Sequence, residues 1–446
     1  LGALRKIIKL KINMLANFFK LKERKTNVKQ EFMGGLVTFL TMAYIIFVNP
    51  NVLSETGMDK GALISVTCIA AVIGTLVVGF WANVPFAMAP GMGLNAMFTY
   101  TLVLTQGATW QQALGVVFLS GVVFIIISVL GLRHKIIDAI PEPLRIAIGS
   151  GIGLFIAFIG FKNMGLIVAN PATLIGLGGF SPGLVIGLIG FLATILLEIY
   201  RVKGSILIGI LLSTFLGFIF DPAVGLPDQV VSLPPSIMPV LGKLDVLSIL
   251  KISFIIPIFS FLFVNLFDSI GTALACSMEA GLVKADGKMP HIKKVLEADA
   301  FTTMLSGILG TSSTVTYIES AAGIANGART GLSSVFTALF FLFAMFFAPI
   351  IGIVPAYATA PALILVGIYM VKHLVRIDFS QLYLSVPVFF TLILMPLTYS
   401  ISSGIAFGFG TYLILCVGTG RFREIHPIMW FIGSLSIFEI VVSLLR

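Results

Sequence analysis

Charged side chains are scarce in this chain. Asp, Glu, Lys and Arg make up 11% of its 446 residues, where a soluble domain carries about 25%. With 58% hydrophobic residues and a mean hydropathy of +1.08, that shortage excludes a soluble fold and implies a polytopic helical membrane protein. The usual prior on domain number does not apply to a continuous run of spans. Alternating ten-residue segments are missing too, which excludes a β-barrel. Cysteine is rare: Cys68, Cys276 and Cys416 all lie in apolar runs without metal-ligand spacing and read as packing residues. The four histidines, His134, His291, His373 and His426, fall in predicted cytoplasmic loops, so none is positioned as an intramembrane proton relay. Walker, HExxH and GxSxG motifs are absent, and GMGLNA has no βαβ context. No nucleophile–base–orienter set can be assembled and there is no large soluble domain. These absences argue against an enzyme, and no cofactor or metal is called for.

What charge there is has a pattern. The net charge is +9, and nine of the 28 Lys and Arg fall in residues 1–30, where LRKIIKLKINMLANFFKLKERK interleaves them with Ile, Leu and Phe. This placement points to an anionic membrane surface rather than nucleic acid. Residues 1–31 read as a basic amphipathic cytoplasmic helix on the leaflet, or equally as a solvated tail that fixes topology. They are not a signal peptide, because lysines break the apolar stretch and no small-residue cleavage site follows.

Apolar runs bounded by turn residues predict fourteen spans. Seven lie near 32–48, 61–80, 86–104, 112–132, 146–161, 183–199 and 205–220. Seven more lie near 252–275, 298–310, 312–328, 332–351, 357–371, 383–398 and 401–418. Several are shorter than the ~20 residues of a comfortable crossing, so the count leans on charge. With the N-terminus inside, basic residues recur after every even span and 23 of the 28 fall on the inner side. The predicted outer side holds Lys60, Lys162, Lys243 and Lys251. A slightly acidic, Pro-rich external linker, 221–251, separates a first repeat (32–220) from a second (252–420). Because seven is odd, the repeats must be inverted in the membrane, as in secondary transporters. A C-terminal apolar segment, 421–446, crosses the bilayer or lies in its interface.

The third span of each half is broken. VPFAMAPGMGLNAMFTY puts Pro90, Gly91 and Gly93 at mid-membrane, and GTSSTVTYIESAAGIANG is dense in Thr, Ser and Gly. Both read as an extended segment entering a short helix. Such backbone is tolerated at membrane depth only where protein or a watery cavity satisfies it, and paired breaks point to a transport site. Two carboxylates fall here, Glu319 in the second break and Asp268 in the middle of span 8. A bare Asp at the centre of a membrane helix costs roughly 2.5–3.5 kcal/mol, so these acids are candidates for function. Asn265 and Thr272 lie one turn either side of Asp268, and Asn95 sits in the first turns of the other half-helix. Phe98, Phe267, Tyr317 and Tyr44 are flanking aromatics, though with 38 Phe in the chain each is individually a packing candidate.

A pocket with two carboxylates suits a cation or a neutral ligand rich in N–H donors, such as a nucleobase. Without membrane histidines, Glu319 and Asp268 are also the candidate proton carriers. A sodium site needs several oxygens, and no such cluster is visible. Glu198, Glu279 and Asp299 fall at cytoplasmic span ends, where solvation or ion pairing accounts for them. An anion exchanger is opposed by the two acids; a channel would be separated from a carrier by saturation and counterflow.

GTSSTVTYIESAAGIANGARTG (310–331), FVNLFDSIGTALA (263–275), APGMGLNAMF (89–98) and MAYIIFVNPNVLSETGM (42–58) together resemble the AzgA-like purine permease branch of the nucleobase:cation symporters, the xanthine/uracil permease family. The resemblance covers residues 30–420. It implies import of hypoxanthine, guanine or adenine by proton symport across the cell membrane, with uracil, xanthine or an anion as the alternative solute. It also implies a uracil-transporter-like fold of fourteen transmembrane segments, an all-α protein with a core domain (spans 1–4 and 8–11) and a gate domain (spans 5–7 and 12–14). Elevator-like or rocking movement, often within a homodimer, comes with that fold. By resemblance Asp268 and Glu319 hold the base, and Thr272 and Asn95 line the site. This chain has Asn265 where purine permeases of the branch commonly carry Asp.

Overall fold

The computed structural model describes residues 14–444 apart from 15, 132–138, 226, 228, 252, 253, 283–288 and 290. The first half runs α1 (Val28–Met42), α2 (Ile45–Ser54), α3 (Lys60–Ala82), β1 (Met88–Pro90) and α4 (Met92–Ala96). A π-helical stretch (Met97–Thr105) continues α4, followed by α5 (Trp110–Val129), α6 (Glu142–Met164), the hairpin β2 (Ile167–Asn170) and β3 (Leu174–Leu177), α7 (Pro182–Ile199) and α8 (Ser205–Phe220). The second half runs α9 (Ile255–Glu279), α10 (Ile292–Leu309), β4 (Thr314–Thr316), α11 (Ser320–Ala325), α12 (Gly331–Ala344), α13 (Ala348–Gly352), α14 (Ala356–Val371), α15 (Leu382–Leu397), α16 (Ile401–Gly418) and α17 (Pro427–Leu444). Among the described residues, nine helical stretches are long and apolar enough to cross a membrane and three further apolar helices are shorter. Large apolar side chains such as Leu192, Leu196, Leu211 and Phe215 on α7 and α8 are exposed. In water they would be a liability, whereas lipid tails solvate them at no cost. This is a multi-pass membrane protein.

The packing carries the inverted repeat directly. Exchanging each element with its counterpart in the other half maps the helix pairs onto one another. The contact of α5 with α10 becomes that of α12 with α3, and α9 with α5 becomes α1 with α12. Likewise α15 with α6 becomes α7 with α14, and α15 with α16 becomes α7 with α8. At the centre of this exchange, β1 and β4 pair antiparallel, with Ala89 opposite Val315. The helical fold is thus interrupted where the sequence predicted its two breaks, and again at the unforeseen β2–β3 hairpin.

Local chemistry explains the breaks. Pro90 cannot donate to a helix. Gly91 leaves room for the facing strand, since a Cβ there would sit 2.8 Å from Val315 Cγ2. In the other half, Gly310 ends α10 at φ +93°, a conformation that favours glycine. The backbone freed by both breaks is paired. Gly91 N–H donates to Ser313 O at 2.9 Å and Tyr317 N–H to Ala87 O at 2.9 Å. The Thr75 hydroxyl serves both Met88 N–H and Met88 O, and Ser334 serves Val84 O and Phe86 O. Span 1 is also split, between α1 and α2, which sets Tyr44 at the junction.

Three expectations change. Asp299 is buried within α10 rather than solvated at a span end, because α10 starts seven residues before it. Asn265, read as part of the polar stripe around Asp268, faces α10 instead, as detailed below. Most of the N-terminal segment, residues 1–13 and 15, lies outside the described residues; where described, it docks rather than floats, burying Phe19 and Leu21 against Leu332. Asn83 holds it through Phe19 O at 3.1 Å.

The same docked segment carries a pH-sensitive contact. His291 Nδ1 lies 3.1 Å from Ala82 O, and a carbonyl only accepts, so Nδ1 carries the hydrogen. Nε2 is then free to accept from Arg24 Nη2 at 3.1 Å. Burial, with Arg24 and Lys294 nearby, holds the imidazole below its ordinary range, while Ala82 O opposes that shift. The unfolded chain therefore takes up this proton first as pH falls below about 6.5. The contact stabilises fully above that pH and is lost progressively toward the lower folded value. Thermal unfolding in detergent at pH 7.5 and 5.5 should show a decline of at most about 1.4 kcal/mol per pH unit from this group. His291→Gln should flatten that component; an unchanged profile would discard the contact as a pH element.

Candidate functional site

The two breaks deliver their side chains to one place. Glu319 sits between β4 and α11, and its Oε1 accepts from the Tyr44 hydroxyl at 2.6 Å. Asp268, partly buried in mid-α9, lies close enough to Glu319 for the two charges to interact. Tyr44 and Tyr317 are within electrostatic reach of both acids, and their rings are 6.5 Å apart. The Tyr317 hydroxyl donates to Pro90 O at 2.5 Å, tying the second break to the first. Cys276, one turn beyond Thr272 on α9, contacts Tyr317 O at 3.7 Å. Thr272 itself is half-buried one turn after Asp268. Beyond the far end of α11 the Arg329 guanidinium donates to Ile324 O at 2.6 Å, in the helix's last turn, and to Ala328 O at 2.7 Å in the turn that follows, so a cation meets a C-terminal carbonyl of α11.

Other sequence candidates turn out to build the wall behind the acids. Thr311, Ser312 and Ser313 precede β4, and each is held from a different side. Asn49 donates to Thr311 Oγ1 at 3.2 Å and to Thr67 Oγ1 at 2.7 Å. Asn95 Oδ1 accepts from Ser312 Oγ. Ser313 Oγ bonds Thr303 Oγ1 at 2.8 Å, and Thr303 in turn accepts from Asn265 Nδ2 at 2.8 Å. Asn265 is 1% exposed and its Oδ1 accepts from Ser269, so its amide is committed to the α9–α10 contact. Phe98 is fully buried in the main apolar core. The structure therefore brings Asp268, Glu319 and Tyr317 together, with Thr272 beside them, while Asn95, Asn265 and Phe98 support the frame.

Tyr44 is the member that sequence reasoning undervalued, having named it only as a flanking ring. Its signal was the split of span 1, which an unbroken run of apolar residues hides. Among the described residues no Lys or Arg pairs with either acid; the ion pairs Lys20–Glu23, Lys293–Glu297 and Arg421–Glu424 lie elsewhere, on exposed or half-buried side chains. Two carboxylates at this depth need a proton, a cation or a ligand of N–H donors to balance them. A separate shallow cavity between α9, α16 and α17, lined by Phe259, Phe263, Phe409, Phe431 and Glu439, does not include the acid pair.

Comparison with known proteins fits this geometry. A permease family model, Xan_ur_permease, matches residues 29–407. The chain belongs to this permease family. It is a transporter and not an enzyme, as its family membership establishes. It is 42% identical to the guanine/hypoxanthine permease PbuG of Bacillus subtilis (strain 168) over 93% of this chain and 97% of that protein. It is 41% identical to the adenine permease AdeP of Escherichia coli (strain K12), over 96% of each. Among solved structures, the transmembrane domain of the cyanobacterial bicarbonate transporter BicA superposes with a TM-score of 0.59 at 15% identity, over 85% of this chain and 97% of that one. That likeness concerns the fold alone.

Proposed function

We propose that this permease carries a purine nucleobase together with a proton, with Asp268 and Glu319 as the ligands of the base and the groups that carry the proton. The observation that bears most weight is the cluster of Tyr44, Tyr317, Asp268 and Glu319 at the paired breaks. A purine presents ring and exocyclic N–H donors to two carboxylates and a planar face to two tyrosine rings. The names of PbuG and AdeP support the substrate class. Fourteen crossings, a cytoplasmic N-terminus and a homodimer in the cell membrane complete the reading. In it, spans 1–4 and 8–11 form the core that holds the base and spans 5–7 and 12–14 form the gate. An anion substrate is disfavoured, since among the described residues no Lys or Arg pairs with the acids.

Proteoliposomes containing the protein should accumulate radiolabelled hypoxanthine, guanine or adenine saturably, and an imposed inward proton gradient should raise accumulation about tenfold per pH unit for one proton per base. Absence of saturable uptake of all three would sink the purine reading. Accumulation that survives collapse of the gradient would instead reject proton coupling.

A further inference from the structure

Two turns of the gate helices reach the broken spans from opposite faces of the bundle, and they occupy equivalent places in the inverted repeats. The turn between α7 and α8 has Arg201 at φ +56°, and the turn between α15 and α16 has Tyr399 at φ +54°. Both are non-glycine residues held in the left-handed region, where the surroundings must hold the backbone in place. On the N-terminal face, Lys203 of the first turn donates to Asn326, which ends α11. On the opposite face, the second turn is stitched to the π-helical stretch that continues α4. The Thr101 hydroxyl donates to Tyr399 O at 3.4 Å and accepts from Ile401 N–H at 3.2 Å.

The second contact is the more heavily built. Tyr100, beside Thr101, packs edge-on against Tyr399 at 5.8 Å and Phe155 at 6.2 Å, while Phe158 closes on Tyr399 at 5.5 Å. Lys162, at the end of α6, holds its ammonium 5.5 Å from the Tyr100 centroid and 5.6 Å from that of Tyr399. One cation thus bridges a ring of spans 1–4 and a ring of spans 12–14. The Tyr100 hydroxyl donates to Glu55 at 2.6 Å, which enriches the electron density of the ring that faces Lys162. Tyr100 is 1% exposed, whereas Glu55 and Lys162 are exposed at the mouth.

We propose that these are the two gates of the transport cycle: Lys162 with Tyr100, Thr101 and Tyr399 bolts the face opposite the N-terminus, and Lys203 with Asn326 bolts the N-terminal face. Alternating access then consists in releasing one bolt while the other holds, and both are engaged here. The proposal rests on the reading of the chain as a carrier with one central site.

The test is side-specific accessibility. Thr272→Cys, in a background with Cys68, Cys276 and Cys416 changed to Ala, reports on the centre. A membrane-impermeant thiol reagent is applied to either side of oriented proteoliposomes. Lys162→Met, which keeps the stem and removes the charge, should speed labelling from the face opposite the N-terminus about tenfold, equivalent to about 1.4 kcal/mol. Lys203→Met should do the same from the N-terminal face only, and Lys162→Arg should behave as the parent. Tyr399→Leu serves as a second release of the same bolt if Lys162→Met elutes as aggregate. Rates unchanged within twofold from both sides, or both variants opening the same side, would overturn the gates. Purine binding by calorimetry to the parent protein and to Lys162→Met and Lys203→Met made without the cysteine changes, so that Thr272 and Cys276 are intact, separates the two readings. Side-specific labelling without purine binding would reject the substrate and leave the gates, whereas binding with unchanged labelling would reject the gates alone.

Discussion

Replacing Glu319 by Gln should lower purine uptake in proteoliposomes by roughly 10- to 100-fold, because a hydrogen bond to a charged acceptor contributes about 1.5–3 kcal/mol. The amide keeps the shape and can still accept from the Tyr44 hydroxyl, which sits 2.6 Å from Oε1. A loss in this variant therefore reports on charge rather than on packing. Tyr44→Phe removes only the neutral donor, and uptake should fall less, about 3- to 10-fold. If Glu319 carries the proton, residual uptake by Glu319→Gln should no longer respond to an imposed pH gradient. Parental uptake with the parental pH response would remove Glu319 from both roles.

The second large effect concerns stability. Glu31 is fully buried in the first turn of α1, yet its partners are on another helix. Its Oε1 accepts from Arg329 N–H at 3.0 Å, and its Oε2 accepts from Thr330 N–H and Ser333 N–H, each at 3.2 Å. One carboxylate thus caps the start of α12 from outside, meeting orphan donors with a full negative charge. Glu31→Ala leaves these donors buried without that acceptor, at about 1–3 kcal/mol each when nothing replaces it. We expect a net loss near 3 kcal/mol, visible as an apparent melting temperature several degrees lower in detergent. Glu23→Gln, which breaks the exposed 3.3 Å pair with Lys20, should cost less than about 1 kcal/mol. Equal melting temperatures for the two variants would show that water or a shifted backbone takes over the cap.

These two acids mark how far the sequence could be read. Glu319 and Asp268 stood out because charge in an apolar run is costly, and Pro90, Gly91 and the Thr311–Thr314 run marked the breaks because each disfavours helix. Such signals are local. Glu31 carried none, since an acid near a helix start looks solvated until another helix is packed over it. Asn265 and Asp268 are three residues apart, close enough on a helix to count as one stripe. Only the position of α10 reveals that Asn265 is spent on Thr303. Asp299 was misjudged for the same reason: the start of α10 at Ile292, not its hydropathy, decides that it is interior. The inverted repeat was expected from seven spans in each half, whereas the antiparallel pairing of β1 with β4 depended on two segments that carry no register information of their own.

That pairing also sets a schedule for biosynthesis. Tyr317 and Pro90 are 227 residues apart in the chain. A ribosome adding roughly 5–20 residues per second takes about 10–45 s to make the second strand after the first. Throughout that interval the extended backbone of the third span lacks its final partner, and backbone polar groups left facing lipid are costly. The nascent chain should therefore depend on an insertase or on a watery lateral gate to shelter residues 88–91 until the second half arrives. Ribosome profiling of its binding to such factors would read this as an engagement that ends only after residue 317 has emerged.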